Sequence, residues 1–138
     1  MPDTGIDDVC IGASAQITKT VSETDVYLYA GISGDFSPNH VDEHYMRGGR
    51  YGRRIAHGTL LMGFMSAASA RLYLGRTVSL GYDRVRFPAP VFFGDTITTV
   101  YTVREIDRER RRVMAEVRCI NEREEVVGAA TNIRAFVD

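Results

Sequence analysis

The feature that most constrains the fold is an apolar segment at residues 59–74. Its apolar side chains recur on nearly every face of a helix, and its first charged residue is Arg71, close to its end. A helix that is apolar all round has to be buried. The segment is shorter than the ~20 residues that a bilayer requires, so we expect the rest of the chain to bury it. Its apolar side chains are those of Leu60, Leu61, Met62, Phe64, Met65, Ala67, Ala68 and Leu72.

Five other segments have the character of β-strands and are expected to cover this helix. Residues 15–21 alternate apolar and polar positions, and residues 78–87, 96–106, 112–121 and 126–137 are rich in β-branched and aromatic residues. Short turns between the later segments favour antiparallel pairing. We therefore predict an α+β fold with one domain over residues 1–138, in which an antiparallel sheet wraps around a long central helix.

A shorter helix is expected before the central one. Ser22 and Asp25 have the spacing of a capping box, and Gly34 marks the end of the helical pattern. Residues 35–54, which contain Pro38 and three glycines, predict a long irregular segment. A segment of this length inside a compact domain is usually functional.

Composition argues against several classes of partner. A formal net charge of -1 gives no reason to expect nucleic acid. Cys10 and Cys119 lie far apart, which fits neither a disulfide framework nor a zinc knuckle and favours a reducing compartment. The acidic N-terminal residues do not resemble a signal peptide, so we expect a cytoplasmic protein without a membrane partner. The open edges of the predicted sheet favour a homodimer or a higher homo-oligomer.

Residues with the potential for catalysis lie in the run SGDFSPNH at residues 33–40. Asp35 and His40 flank Pro38, and a carboxylate and an imidazole on one rigid turn can converge on a single water molecule. The alternative is structural, because an aspartate that follows a helix often bonds its own backbone in an Asx turn. These residues alone leave both interpretations open.

Gly58, at the start of the central helix, is a second candidate. A helix N-terminus has unpaired N–H groups and the positive end of the helix dipole, and glycine lets a ligand approach them closely. Beside an acid–base pair, such an N–H suits an oxyanion hole for a thioester carbonyl. The alternative is that Gly58 only permits tight packing where the loop meets the helix.

Three motifs in this chain resemble those of one known family. Residues 29–40, YAGISGDFSPNH, resemble the hydratase motif of MaoC-like (R)-specific enoyl-CoA hydratases and dehydratases, which have the hot-dog fold. Residues 56–61, AHGTLL, resemble the family's helix-opening motif, and residues 86–95, RFPAPVFFGD, resemble its F-x-x-P-V-x-x-G-D element. Two positions depart from the pattern: Ser37 replaces the usual asparagine, and Asn39 replaces an aliphatic residue.

This resemblance implies an activity, the reversible syn hydration of a trans-2-enoyl-CoA to an (R)-3-hydroxyacyl-CoA. Asp35 and His40 would activate the water molecule, and the backbone N–H of Gly58 would stabilise the thioester oxygen. The implied substrate is an acyl-CoA thioester, and neither a cofactor nor a metal ion is expected.

Six further residues are predicted to bind the substrate. The family places a residue that lines the acyl pocket at Ser66, although a helix serine can also bond the carbonyl one turn back. Two arginines after the central helix are candidates for the CoA phosphates, together with the arginine-rich loop at residues 46–54. For that loop, a solvated surface is the alternative. The six residues are Phe36, Ser37, Asn39, Ser66, Arg84 and Arg86.

Other functions are compatible with parts of the sequence. His40 and His44 would form a metal-binding pair only on one helix, and no further His or Cys cluster supports such a site. A thioesterase of this fold usually carries a carboxylate on the central helix, and residues 59–74 contain none. A non-catalytic subunit that binds acyl thioesters would be consistent with the departures at Ser37 and Asn39.

Overall fold

A five-stranded antiparallel sheet packed against helices forms the fold in the computed structural model, which describes residues 4–138. The strands are β1 (Ser14–Thr20), β2 (Thr77–Arg86), β3 (Thr96–Asp107), β4 (Arg112–Ile120) and β5 (Val126–Phe136). The helices are α1 (Glu23–Ser33), α2 (Pro38–Val41), α3 (Glu43–Arg47) and α4 (Leu60–Ala70), preceded by a 3₁₀ turn at Ile6–Asp8. The strand order is β1-β3-β4-β5-β2, which leaves β1 and β2 at the edges. This arrangement confirms the predicted α+β hot-dog fold.

Along the central strands, every second side chain points into the core. In β3, every second residue from Ile97 to Val103 is buried, and Tyr101 lies opposite Val117 of β4. This row packs against α4, where Leu61 and Met65 are almost fully buried. Burial of each large apolar side chain contributes about 1.5–3 kcal/mol, so this contact is the main attachment of α4 to the sheet.

The expectation that α4 is buried on every face is wrong for the single chain. One face of the helix packs on the sheet, whereas the opposite face is exposed. The sheet is open, so it covers the helix from one side only. The exposed positions carry small side chains, namely those of Gly63, Ser66, Ala67 and Ala70. Within residues 4–138, neither α4 nor any other helix combines the length and apolar character needed to cross a membrane.

The segment at residues 35–54 is more ordered than the sequence predicts, because it contains α2 and α3. Pro38 occupies the first turn of α2, where its missing N–H costs nothing, and the side chain of Asp42 accepts a hydrogen bond from the backbone of Tyr45 to begin α3. Helix α1 begins as predicted, with the capping box between Ser22 and Asp25. The starts of these three helices fix the path of the chain before and after residue 35.

Candidate active site

Asp35 lies just beyond α1, and two hydrogen bonds from Ser37 hold its carboxylate. Gly34 ends the helix in the left-handed conformation at φ 83°, which turns the chain sharply. Oδ1 of Asp35 accepts from the Ser37 hydroxyl at 2.6 Å and from the Ser37 backbone N–H at 3.1 Å. These bonds, chiefly the one from the hydroxyl, lower the pKa of Asp35. The predicted Asx turn is therefore present, yet it occupies only one carboxylate oxygen.

His40 is buried in α2, and one of its ring nitrogens forms a hydrogen bond with the backbone. Nδ1 lies 2.8 Å from the carbonyl oxygen of Ile55, which only accepts, so Nδ1 is the atom that donates a hydrogen. In the neutral ring, Nε2 then carries a lone pair and faces Oδ2 of Asp35 at 3.8 Å. That distance is too long for a direct hydrogen bond. It suits one water molecule that donates a hydrogen to each of these two acceptors.

His57 connects these two residues, and sequence reasoning did not single it out. Its Nε2 donates to the backbone carbonyl of Asp35 at 2.9 Å, and its ring stacks on that of His40 with centroids 3.7 Å apart. Desolvation lowers the pKa of His57, which favours the neutral ring. Its Nδ1 is buried without a hydrogen-bond partner in the described part of the chain. The available signal was its place directly before Gly58 in the AHGTLL motif.

Gly58 precedes the first turn of α4 and lies against the ring of Phe87. Its backbone N–H donates to no backbone carbonyl among residues 4–138 and lies at the positive end of the helix. A Cβ at this position would lie 2.8 to 3.0 Å from three ring atoms of Phe87. The close packing considered from the sequence is therefore real, and it leaves the N–H available to a ligand.

A cavity of about 210 Å³ extends from His40 to Gly58. Most of the side chains that line it are apolar. Residues 87–91, which belong to the third motif recognised in the sequence, form part of its wall. The lining residues are His40, Tyr51, Ile55, Ala56, Gly58, Leu61, Phe87, Pro88, Ala89, Pro90, Val91 and Val127.

Asp95 holds that third motif in place. Its Oδ2 accepts from the backbone N–H of Phe92 at 3.0 Å, and the guanidinium of Arg123 contacts both carboxylate oxygens at 3.2 Å. Burial by itself would raise the pKa of Asp95, but the bonds from Arg123 and Phe92 outweigh it and lower the pKa. The acidic end of the motif thus stabilises the loop that forms the cavity wall.

The predicted substrate-binding residues around the pair lie in different environments. Ser37 contacts Asp35 itself, as described above. Phe36 is 57% exposed beside it, and the backbone carbonyl of Asn39 accepts a hydrogen bond from the N–H of Ile55 at 2.9 Å. The Asn39 bond helps to place the Ile55 carbonyl that orients His40.

None of the six predicted substrate contacts is among the described residues that line the cavity, and the remaining three lie on α4 and β2. Ser66 is on the exposed face of α4, and its hydroxyl makes no hydrogen bond within residues 4–138, so the bond to the preceding turn is absent. Arg84 and Arg86 are exposed on β2. Substrate contacts at all three positions stay predictions.

The arginine-rich loop divides into two roles. Arg54 is held by Glu23 at 2.6 Å and by Glu43 at 2.7 Å, so a solvated surface is the wrong description of this residue. Arg53 instead lies over the ring of Phe92, 3.9 Å from its centroid. Arg54 therefore joins α1 and α3. Both arginines also pack on the third motif, Arg53 on Phe92 and Arg54 over the ring of Phe93 at 4.8 Å from its centroid.

Asp35, His40 and His57 are also residue types that bind metal ions, and their ligand atoms lie within 4.8 Å of one another. The lone pairs of imidazoles lie in the ring planes, and two stacked rings at 25° do not direct them at a common ion. One nitrogen of each ring is also committed to a backbone carbonyl. His44 is exposed on α3 and is not in this group. The geometry favours a hydrogen-bonded acid–base pair.

Known proteins resemble this chain over most of its length. Residues 12–125 match the MaoC like domain. The chain is 39% identical to an (R)-specific enoyl-CoA hydratase from Rhodospirillum rubrum over 113 residues, which cover 82% of this chain and 78% of that protein. It is 33% identical to a 3-hydroxybutyryl-CoA dehydratase from Methylorubrum extorquens, over 82% of this chain and 72% of that one. The unliganded R-hydratase PhaJ1 from Pseudomonas aeruginosa has a similar fold, with a TM-score of 0.84 at 30% identity over 98% of this chain and 88% of that one. The chain therefore belongs to the MaoC-like domain family.

Proposed function

We propose that this chain is a hydro-lyase that adds water to a trans-2-enoyl-CoA to form an (R)-3-hydroxyacyl-CoA, or catalyses the reverse dehydration. The observation that carries the proposal is the separation of 3.8 Å between Asp35 Oδ2 and His40 Nε2. The cavity that His40 lines also contains Gly58, whose N–H is available. Two relatives named as a hydratase and a dehydratase of CoA thioesters support the reaction class.

In the proposed reaction, one water molecule supplies both groups that add to the double bond. It donates its hydrogens to Asp35 Oδ2 and His40 Nε2, and one of these acceptors takes a proton as the water oxygen bonds to the β-carbon. The π electrons move towards the thioester oxygen, whose developing charge faces the N–H of Gly58. The protonated acceptor then returns its proton to the α-carbon on the same face. The addition is syn, and no metal or redox cofactor takes part.

Substitution of the two acceptors tests this function directly. Asp35→Asn and His40→Gln should each lower kcat/KM for crotonyl-CoA by about 10²–10⁴-fold, measured by loss of the conjugated thioester absorbance. Asp83→Asn and His44→Gln, at exposed positions, are matched controls that should retain activity. Dialysis against a chelator should leave the wild-type rate unchanged.

Four results would contradict the proposal. Folded wild-type protein that hydrates neither crotonyl-CoA nor longer and branched enoyl-CoAs would exclude the reaction. Full activity in both Asp35→Asn and His40→Gln would refute the site. Release of free thiol from acyl-CoA would indicate a thioesterase, and acyl-CoA binding without turnover would indicate a non-catalytic subunit.

We propose that a second copy of the chain pairs with the free edge of β2. Among residues 4–138 this strand is bonded only to β5, on one side, and Val78 and Leu80 on it are 44% and 51% exposed. Native proteins cover or protect apolar edges of this kind. Light scattering after size-exclusion chromatography should give at least twice the chain mass of 15.4 kDa. A monomer at micromolar concentration would contradict the pairing.

The CoA part of the substrate has to extend beyond the cavity. At about 210 Å³ the cavity is below the range of about 300–1,000 Å³ that is usual for small-molecule sites, so it suits the thioester and a few acyl carbons. We assign the phosphates to the exposed guanidinium groups of Arg84 and Arg86, which form no ion pair among residues 4–138. Arg84→Gln and Arg86→Gln should raise KM and leave kcat unchanged, and an unchanged KM would contradict the assignment.

A further inference from the structure

Arg134 extends from β5 across the inner side of the sheet to the last turn of α4. Its Nε donates to the hydroxyl of Thr77 at 3.2 Å, and its Nη1 donates to the hydroxyl of Ser69 at 2.9 Å. The Ser69 hydroxyl in turn donates to the carbonyl of Ser66 at 2.6 Å, so its own orientation is fixed. Two neutral hydroxyl groups therefore hold the guanidinium group in one position.

The positive charge of Arg134 has no counter-ion in the described part of the chain. No carboxylate of residues 4–138 lies within 4.0 Å of this half-buried guanidinium group, whereas Arg54 and Arg123 each contact two or more. Tyr82 and Tyr101 are the phenols whose pKa values the charge of Arg134 influences. Burial raises both pKa values, so neither phenol supplies a negative charge near neutral pH. A charge that is partly removed from water without a partner is costly, which points to a partner from outside the chain.

The guanidinium group borders a cavity of about 280 Å³. Ser69, Tyr73, Gly75 and Thr77 line it with Arg134, and the lining that residues 4–138 supply contains no acidic residue. Nη2 of Arg134 and the hydroxyl of Tyr73 form no hydrogen bond within residues 4–138, so both are available as donors. The cavity is at the end of α4 that is remote from Gly58, and a helical rise of 1.5 Å per residue separates Gly58 from Ser69 by roughly 16 Å.

We propose that this cavity is a binding site for a small oxyanion, either a phosphate or an organic carboxylate. Thr77 and Ser69 bond Nε and Nη1, which lie on different edges of the planar guanidinium group, so both N–H groups of Nη2 remain available to a ligand. Planar guanidinium N–H groups of this kind suit the oxygens of a carboxylate or a phosphate. The site is separate from the pair of Asp35 and His40, and its occupation requires no turnover.

Calorimetric titration of the full chain with inorganic phosphate, acetate and succinate tests the site. We expect saturable binding of at least one of these anions to the wild type, and affinity lower by about tenfold or more in Arg134→Gln. Arg118→Gln, at an exposed position on β4, is the matched control and should bind as the wild type does. Preference for phosphate or for the carboxylates identifies the class of ligand.

Arg134→Lys extends the test in case Arg134→Gln does not fold, which circular dichroism would reveal. Lysine retains the charge but lacks the planar edge, so we expect affinity between those of the wild type and the glutamine variant. Absence of saturable binding to the folded wild type would overturn the proposal. Equal affinity in the wild type and a folded Arg134 variant would also overturn it, because the anion would then bind elsewhere. Hydration of crotonyl-CoA is not part of this readout, so the result is independent of the proposed enzyme activity.

Discussion

Replacement of Gly58 by alanine separates the steric role of this position from its proposed electrostatic role. The new methyl carbon would lie 2.8 Å from Cδ2, 2.9 Å from Cγ and 3.0 Å from Cε2 of Phe87. Optimal carbon–carbon separations begin near 3.5 Å, so the nearest ring atom has to move away by about 0.7 Å. Overpacking of this kind costs about 1–3 kcal/mol. Phe87 is 42% exposed, so its ring can move towards solvent. We therefore expect Gly58→Ala to lower the free energy of unfolding by about 1–2 kcal/mol.

Urea denaturation of four proteins measures this cost: the wild type, Gly58→Ala, Phe87→Ala and the double variant. If contact with the ring is the cause, the alanine at position 58 lowers the free energy of unfolding in the wild-type background but hardly changes it in the Phe87→Ala background. The coupling energy should then be about 1–2 kcal/mol. Effects that add to within about 0.3–0.5 kcal/mol would refute the steric reasoning.

Activity of the same four proteins tests the N–H of Gly58. The methyl group stands beside the N–H that is proposed to bind the thioester oxygen, and loss of one such donor typically costs about 10²–10³-fold in kcat. We expect the alanine at position 58 to cost little stability in the Phe87→Ala background, while the kcat of the double variant stays far below that of Phe87→Ala. Equal kcat in the double variant and Phe87→Ala would refute the assignment of this N–H.

Three other substitutions test the surroundings of the site and the core. Ser37→Ala removes the strongest bond that lowers the pKa of Asp35, so the acidic limb of the kcat/KM profile should move to higher pH. Asp95→Asn removes a buried, charge-assisted contact and should cost about 1.5–3 kcal/mol at pH 7 in urea denaturation. Since the folded state lowers the pKa of Asp95, the stability difference from the wild type should shrink as pH falls below the ordinary value of 3.8. Tyr101→Phe leaves Oδ1 of Asn132 without its donor at 2.7 Å and should cost about 1–3 kcal/mol in the same assay.

Each of these substitutions has a control or a contrary outcome. Ser37→Thr retains a hydroxyl and should keep the wild-type pH profile, and an identical profile in Ser37→Ala would argue against the hydrogen bond. Asp83→Asn, at an exposed position, should show no pH-dependent loss, and a difference for Asp95→Asn that stays constant with pH would contradict the lowered pKa. Tyr45→Phe, 61% exposed, should leave stability unchanged. Wild-type stability in Tyr101→Phe would indicate that Asn132 finds another donor.

The strands and the first helix were predictable because short-range chemistry determines them. Each strand begins and ends within one residue of the segment expected from its content of β-branched and aromatic residues. The ends of α1 follow from the Ser22 cap and the left-handed Gly34. Helices α2 and α3 were missed because four and five residues are too few to display a helical period. Their ends depend on single residues, Pro38 and Asp42, within a run whose glycines suggested an irregular loop.

Local sequence was sufficient to establish the fold class, the order of the elements and the run that contains Asp35 and His40. Only the tertiary structure decided which groups contact these residues. The Ile55 carbonyl bonds Nδ1 of His40, the ring of His57 stacks on that of His40, and the Phe87 ring lies against Gly58. Tertiary structure also decided that α4 is covered on one side only. The physical reason is distance along the chain. His57 meets the carbonyl of Asp35 across 22 positions, and neither periodicity nor capping specifies which groups meet at such a separation.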